Sequence, residues 1–378
     1  MIQNKSLKQR LTQFVVPLMF ITIIAISIPI SGYSPSYLVN QVVLRMARNS
    51  FLVLALLPPI QAGLGINFGL VLGAIAGQIG IIFANDWDLI GVNALYVAIL
   101  VSLPVAMLLG WFAGQVMNRA KGREMITSMM LSFFISGIYL AFVLFVCGSI
   151  IPFKNQDTMI LSRGYGVRNS FMIKAANGFD YYLDRITGVD ITIGETHIPL
   201  YTFVLIGLCC LFIRWFNKTK IGQEMRACGQ SQVVSDSAGI KVNKIRVQAM
   251  MLSTVLAAIG QIIYLQNLGT LNTYNGADQA ALFAAAALLI GGATVSKATI
   301  PNALVGTALF HLLFIVMPRA GKNLTGSTLL GEYFRTFVSY GIVTITLVLH
   351  AWRRQKDKEL ELEQLRESSK KSAEKSKA

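Results

Sequence analysis

Charge is what this sequence has least of. Asp, Glu, Lys and Arg make up 13% of its 378 residues, about half the ~25% of a soluble globular domain, while hydrophobic types make up 54%. That balance excludes a water-soluble core-and-surface design and, for most of the chain, intrinsic disorder. Histidine is scarce, at three residues, and cysteine at four (Cys147, Cys209, Cys210 and Cys228). No CxxC pair occurs, so neither a disulfide framework nor a zinc site is indicated. Also missing are HExxH, GxSxG and any spaced pair of carboxylates within an apolar run. His311 is the one titratable residue well inside such a run, and a lone histidine there serves either as a helix-packing hydrogen-bond donor or as a ligand. An intramembrane enzyme is a poor fit, and so is a proton- or sodium-driven carrier, which commonly places ionisable groups in its spans.

What the chain does have is apolar runs, at 14–30, 51–62, 66–83, 92–116, 125–152, 199–216, 248–266, 279–295, 301–317 and 333–351. A span needs about 20 residues. The expected fold is therefore all-α: one polytopic membrane domain over 14–351 with about ten transmembrane helices, preceded by a short N-terminus (1–13) and followed by a charged tail (352–378). The run at 14–30 lacks an A-x-A cleavage pattern after it and reads as an uncleaved first span rather than a signal peptide. The second run is too short to stand alone. Either its helix starts earlier, within Tyr37–Asn49, or the 51–83 pair dips into the membrane without crossing. Pro58-Pro59 and Gly63-Leu64-Gly65 break the backbone there, and broken backbone at membrane depth survives only under cover of protein or beside a water-filled cavity.

The net charge of +15 sits in short loops. No basic stripe interleaves with aromatics, so nucleic-acid binding is not expected; a lipid bilayer is. Basic residues cluster before the first run, at 117–124, at 217–247 and in the tail, which places both termini on the cytoplasmic side under the positive-inside rule. Arg45 and Arg48 then lie outside and fit least well. The 153–198 segment is the largest external piece; alternation in 189–193, a Gly194-Glu195 turn and Thr196–Ile198 suggest a small hairpin.

Gly65, Gly69, Gly73 and Gly77 recur every four residues, and Gly291 and Gly292 join a second small-residue face; both read as helix-packing surfaces. Asn67 and Gln78, near the break, and Ser132 are the candidates for lining a solute path. Gly291–Lys297 approximates a phosphate-binding loop, but Ser296 and Ala298 replace its essential glycine and hydroxyl residue, so if the chain is an active transporter the energy must come from another polypeptide. The 217–247 segment reads as two short helices separated by Gly229, with Gly239 ending the second. It is either a docking surface or an ordinary solvated loop.

Several short stretches, in order along residues 36–350, resemble the permease subunits of ABC importers of the ribose, branched-chain amino acid and nucleoside type. They are Gly65-Ile66-Asn67-Phe68-Gly69, Glu124–Ser132, Ala238-Gly239-Ile240 with Lys244-Ile245, and Ala287–Gly292. The first two are similar to the nucleoside and simple-sugar subgroup, although Ser132 stands where that subgroup has Asn, and Phe68-Gly69-Leu70-Val71 departs from its pattern. The resemblance implies a transport subunit with no cofactor of its own in the bacterial cytoplasmic membrane. ATP would be hydrolysed by a partner ABC ATPase docking on the 217–247 loop, with Gly222, Arg226, Gly229, Asp236, Gly239 and Lys241 as the docking residues. A second permease chain, the same or a sister, would complete the path. An extracytoplasmic solute-binding protein would deliver a small polar solute: a nucleoside or simple sugar first, a vitamin or branched-chain amino acid after. The reading that competes is a self-contained secondary carrier or channel.

Overall fold

The computed structural model describes residues 2–173, 183, 192–193, 196–294, 297–334 and scattered positions from 336 to 348, with side chains described from Pro17 onward. The chain is a helical bundle. In order come α1 (Ile2–Ser31), α2 (Pro35–Leu54), α3 (Leu57–Gln61), α4 (Leu70–Asp86), α5 (Gly91–Arg119), α6 (Glu124–Ala141, widening into a π turn over Phe142–Val146), α7 (Gln156–Met159), α8 (Leu200–Phe216), α9 (Lys220–Gln230), α10 (Gln232–Ser237), α11 (Val242–Leu268), α12 (Gly276–Ile290) and α13 (Ile300–Thr325).

Length and composition qualify five helical stretches as membrane spans among the described residues, not ten: Pro35–Gln61, Gly91–Arg119, Glu124–Val146, Val242–Leu268 and Ile300–Thr325. A sixth would count only if α8 and α9, bent 77° at their junction, were one span. The runs at 14–30 and 333–351 fall partly outside the residues described with side chains; the rest of the shortfall has a physical origin. α4 has 17 residues and α12 has 15, reaching roughly 22–26 Å at 1.5 Å per residue, short of a hydrocarbon core of about 30 Å. Non-helical backbone at 62–69, 291–294 and 297–299 adjoins them instead.

The ambiguity over the second run resolves in favour of an earlier start. Ser34 caps α2 by accepting the Tyr37 N–H, and Pro35 occupies the first turn. The helix loosens at Ala55-Leu56 because Pro59 lacks the N–H that would reach the Ala55 carbonyl. The Ser253 hydroxyl of α11 donates to that carbonyl at 2.7 Å, so the break is covered by protein. Gly63 and Gly65 then turn the chain at φ +75°, a conformation open to glycine.

α11 is the central post, lying against α2, α4 and α5, while α13 packs against α1, α2 and α12. The packing is achieved with small residues, as expected where lipid supplies no hydrophobic drive between helices. A side chain at Gly73 would overlap the Thr254 carbonyl and Ala257. One at Gly77 would meet the Ala258 carbonyl and Gln261, and ones at Gly110 and Gly114 would strike α11 from α5. The Thr254 hydroxyl donates across to the Ala106 carbonyl at 2.9 Å. Large apolar side chains face outward instead, among them Leu108, Trp111, Phe133, Phe134 and Leu211, which is the arrangement suited to a hydrocarbon solvent.

Two expectations about glycine change. Gly65 lies in the turn before α4, not on its packing face, and Gly292 (φ +83°) lies in the turn after α12. Gly291 does pack, its Cα hydrogens facing the Asn302 carbonyl and Gly306 of α13. At the opposite end from the Gly63 turn, β1 (Ser170–Met172) pairs antiparallel with β4 (Thr270–Asn272), a contact the sequence did not suggest. The hairpin is present as β2 (Thr192–Ile193) paired with β3 (Thr196–His197). Residues 189–191 and the tail at 352–378 lie outside the described residues.

Candidate functional site

The turn between α3 and α4 is held by side chains from three directions. Asn67 Oδ1 accepts the Gly69 N–H at 2.8 Å, and its Nδ2 lies 3.2 Å from Met250 Sδ on α11. Ser132 Oγ lies 2.8 Å from both the Phe68 and Ser128 carbonyl oxygens, and Ser128 Oγ accepts the Phe68 N–H at 3.3 Å. Asn67 and Ser132 therefore meet around Phe68, linking α4, α6 and α11. Both are buried within the single chain. Gln78 lies apart, further along α4, where its Nε2 donates to the Asn272 carbonyl at 3.1 Å.

The interior holds more amides than the three singled out from sequence. Gln261 sits beside Gly77, and Gln266 follows it on α11; both are fully buried. Gln78 Oε1, both polar ends of Gln261 and Gln266 Nε2 have no partner among the described residues. Buried polar groups are normally paired, so these amides are available to a polar guest or water. Arg48 Nε donates to Asn267 Oδ1 at 2.7 Å nearby on the same helix. The glutamines in the otherwise apolar 248–266 run were a legible signal that sequence reasoning passed over. His311 is buried between Phe310 and Phe314, edge-on to each ring.

At the other end of α11, the segment singled out for docking folds as two short helices. The break between them is at Ser231, not Gly229. Ser231 caps α10 by accepting the Val234 N–H, while Gly229 lies inside the last turn of α9. Thr219 caps α9 by accepting the Gly222 N–H, and the bare face of Gly222 sits on the Phe216 carbonyl. The inner face of α9 carries Met225 and Cys228, both buried; burial, acting most strongly, raises the Cys228 thiol pKa. Gly229 abuts the Gln61 carbonyl, and the Gly63 side-chain direction points at the Gly229 Cα. α9 thus rests on the broken end of α2–α3.

Its outer face is exposed. Arg226 donates to the Asn217 carbonyl at 3.0 Å but remains open to solvent, as do Asp236, Gly239 and Lys241 around the turn after α10. Val233 and Val234 are 77% and 68% exposed, an apolar pair with no cover in this chain. Behind them lies a contact that sequence reasoning missed. Arg246, on the first turn of α11, is fully buried and forms an ion pair with Glu124 at 2.7 Å. Its guanidinium also donates to Gln232 Oε1 at 3.1 Å and to the Met117 carbonyl at 3.3 Å. One side chain thereby ties α5, α6, α10 and α11 together. In the sequence, Arg246 is one of six bases in the 217–247 segment, and nothing marks it as the buried one.

The arrangement offers a polar interior at one level and an exposed apolar-basic surface coupled to a helix break at another. Among the described residues no group of three or more His, Cys, Asp or Glu could hold a metal.

Known proteins agree with this architecture. The chain is 28% identical over 152 residues to the probable ABC transporter permease protein YphD of Escherichia coli (strain K12), covering 40% of this chain and 43% of that protein. It is 22% identical over 263 residues to the ribose import permease protein RbsC of the same strain, covering 69% and 70%. The chain thus spans less than half the length of the first of these relatives. No solved structure matches. A family described as the permease component of the branched-chain amino acid transport system matches residues 41–347, most of the helical bundle, and the chain belongs to that family of membrane permease components.

Proposed function

We propose that this chain is the membrane subunit of a binding-protein-dependent ABC importer for a small polar solute. The observation that carries the reading is the seating of α9 on the broken helix. With Gly229 against Gln61 and Gly63, a push on the exposed α9–α10 surface reaches the 62–69 turn, and through Asn67 and Phe68 it reaches α4, α6 and α11. Closure of a partner ATPase pressing on Val233, Val234, Arg226 and Lys241 would rock these helices and alternate access to the polar interior. A second permease chain completes the path, an extracytoplasmic solute-binding protein docks at the end bearing 153–198, and both termini are cytoplasmic. The chain acts as the transport subunit, and ATP is hydrolysed by the partner.

Sugar-type solutes lead the substrate ranking, supported by similarity to a ribose import permease and by the amides of Gln78, Gln261 and Gln266, whose donors and acceptors match hydroxyl-rich guests. Nucleosides follow, then vitamins and branched-chain amino acids. Reconstitution into vesicles tests the reading. The chain alone should accumulate no solute, and addition of the co-encoded ATPase and binding protein should give ATP-dependent, vanadate-sensitive uptake. Accumulation by the lone chain under an imposed pH or sodium gradient would instead establish the secondary-carrier reading. Thermal-shift screening of the co-encoded binding protein against sugars and nucleosides identifies the solute.

A further inference from the structure

A groove of about 1360 Å³ opens beside the docking helix, between α8, α9 and the start of α13. Its charged lining is of one sign: Arg214 and Lys218 from the end of α8, Arg226 from α9 and Lys297 from the loop before α13, with no carboxylate among the lining residues. Its other half is apolar. Gly207, Leu211 and Arg214 follow at helical spacing on one face of α8, with Lys218 in the turn just beyond it, so the same stripe passes from bare and aliphatic to basic as it approaches the helix end. Leu211 is 63% exposed, and Trp215, 62% exposed beside Arg214, is the residue type that settles at the headgroup level of a bilayer.

We infer that this groove is a binding site for an anionic phospholipid, with the phosphate among Arg214, Lys218 and Lys297 and an acyl chain along Gly207 and Leu211. A free anion would account for the bases but not for the aliphatic stripe leading to them. A neutral lipid would account for the stripe but not for four cations in a lining without a carboxylate. Basic pockets between helices at a membrane surface select such headgroups, and arginine holds a phosphate through paired N–H donors. Because Arg226 and Gly229 also border the groove, an occupant touches the helix that rests on the α2–α3 break.

The test is native mass spectrometry of the full chain purified in detergent and offered phosphatidylglycerol or phosphatidylcholine. Wild type should retain phosphatidylglycerol in clear preference. The triple variant R214Q/K218Q/K297Q should lose that retention on the order of 100-fold, at roughly fivefold per basic side chain. A matched control, K121Q/R123Q/K244Q, removes exposed bases elsewhere and should behave as wild type. Gly207→Trp keeps every charge and starts its side chain in open space, since nothing lies within 4 Å of a Cβ there; it should evict the lipid without disturbing the fold. Inorganic phosphate in excess should leave the lipid bound. Equal retention of the two lipids, equal loss in the triple variant and its control, undiminished binding in Gly207→Trp, or displacement by phosphate alone would each overturn the assignment. Retention in detergent does not depend on transport, so failure of the importer reading would leave this result standing.

Discussion

Among the contacts that rely on glycine, the one between α4 and α11 and the one between α9 and α3 differ in everything around it. At Gly73 and Gly77, α4 lies on α11 among fully buried neighbours, with Thr254, Ala257 and Ala258 supplying the opposing surface. At Gly229, α9 lies equally close to Gln61 and Gly63, yet one turn away Arg226 stands in solvent and Val233 and Val234 have no cover. Close approach at membrane depth gives cohesion, because every atom displaced must find room inside the bundle. The same approach at the bundle's end gives a lever, because one partner has solvent behind it and can move as a body. The Arg246–Glu124 pair sits between the two regions and holds the lever's root to the post.

The largest effect should come from breaking that root. Arg246→Met alone leaves Glu124 without its buried partner and should destabilise the chain by about 3–5 kcal/mol, whereas pairing it with Glu124→Leu should restore most of the loss. Thermal unfolding in detergent reads both, and equal melting of the single and double variants would show that the pair carries no weight. Next comes Gly73→Val, which forces a side chain into the Thr254 carbonyl and should cost about 1–3 kcal/mol or more. Gly229→Val makes the same change at the lever. Its melting temperature should fall less, because α9 can swing outward, while ATP-driven uptake should be lost. If the two variants melt alike, the distinction between cohesive and lever contacts fails.

Smaller still in stability is Val233→Asp/Val234→Asp. Exposed substitutions of this kind change stability by about 0.5 kcal/mol or less, but co-purification of the ATPase should drop sharply, as it should for the charge reversals Arg226→Glu and Lys241→Glu. Undiminished co-purification in all of them would remove α9–α10 from the interface. The subtlest measurement is alkylation of Cys228. Buried, with its thiol pKa raised, it should react far more slowly at mildly alkaline pH than in the chain unfolded by dodecyl sulfate. Rapid labelling in the folded protein would mean that the lever already opens on its own.

How much of this was readable in advance differs by element. The long α5, α11 and α13 coincide with apolar runs at 92–116, 248–266 and 301–317, because a hydrocarbon solvent demands continuous apolar sequence. The start of α2 was harder to see, since Arg45, Arg48 and Asn49 interrupt its hydropathy; they are tolerated because α11 and α13 offer partners such as Asn267 and the Phe314 ring. Gly229 was taken as a helix breaker on local propensity, but the Gln61 carbonyl on its bare face gives it a packing reason to stay inside α9.

The sequence by itself determined that this chain is a set of apolar, close-packed helices suited to a bilayer, because solvation and glycine spacing act locally along the chain. Only the folded arrangement decided which of many basic residues is buried, which glycines pack and which turn, and that the partly exposed α9 rests on the broken helix. Those outcomes depend on what a distant segment places opposite each residue, and no local pattern encodes the identity of that neighbour.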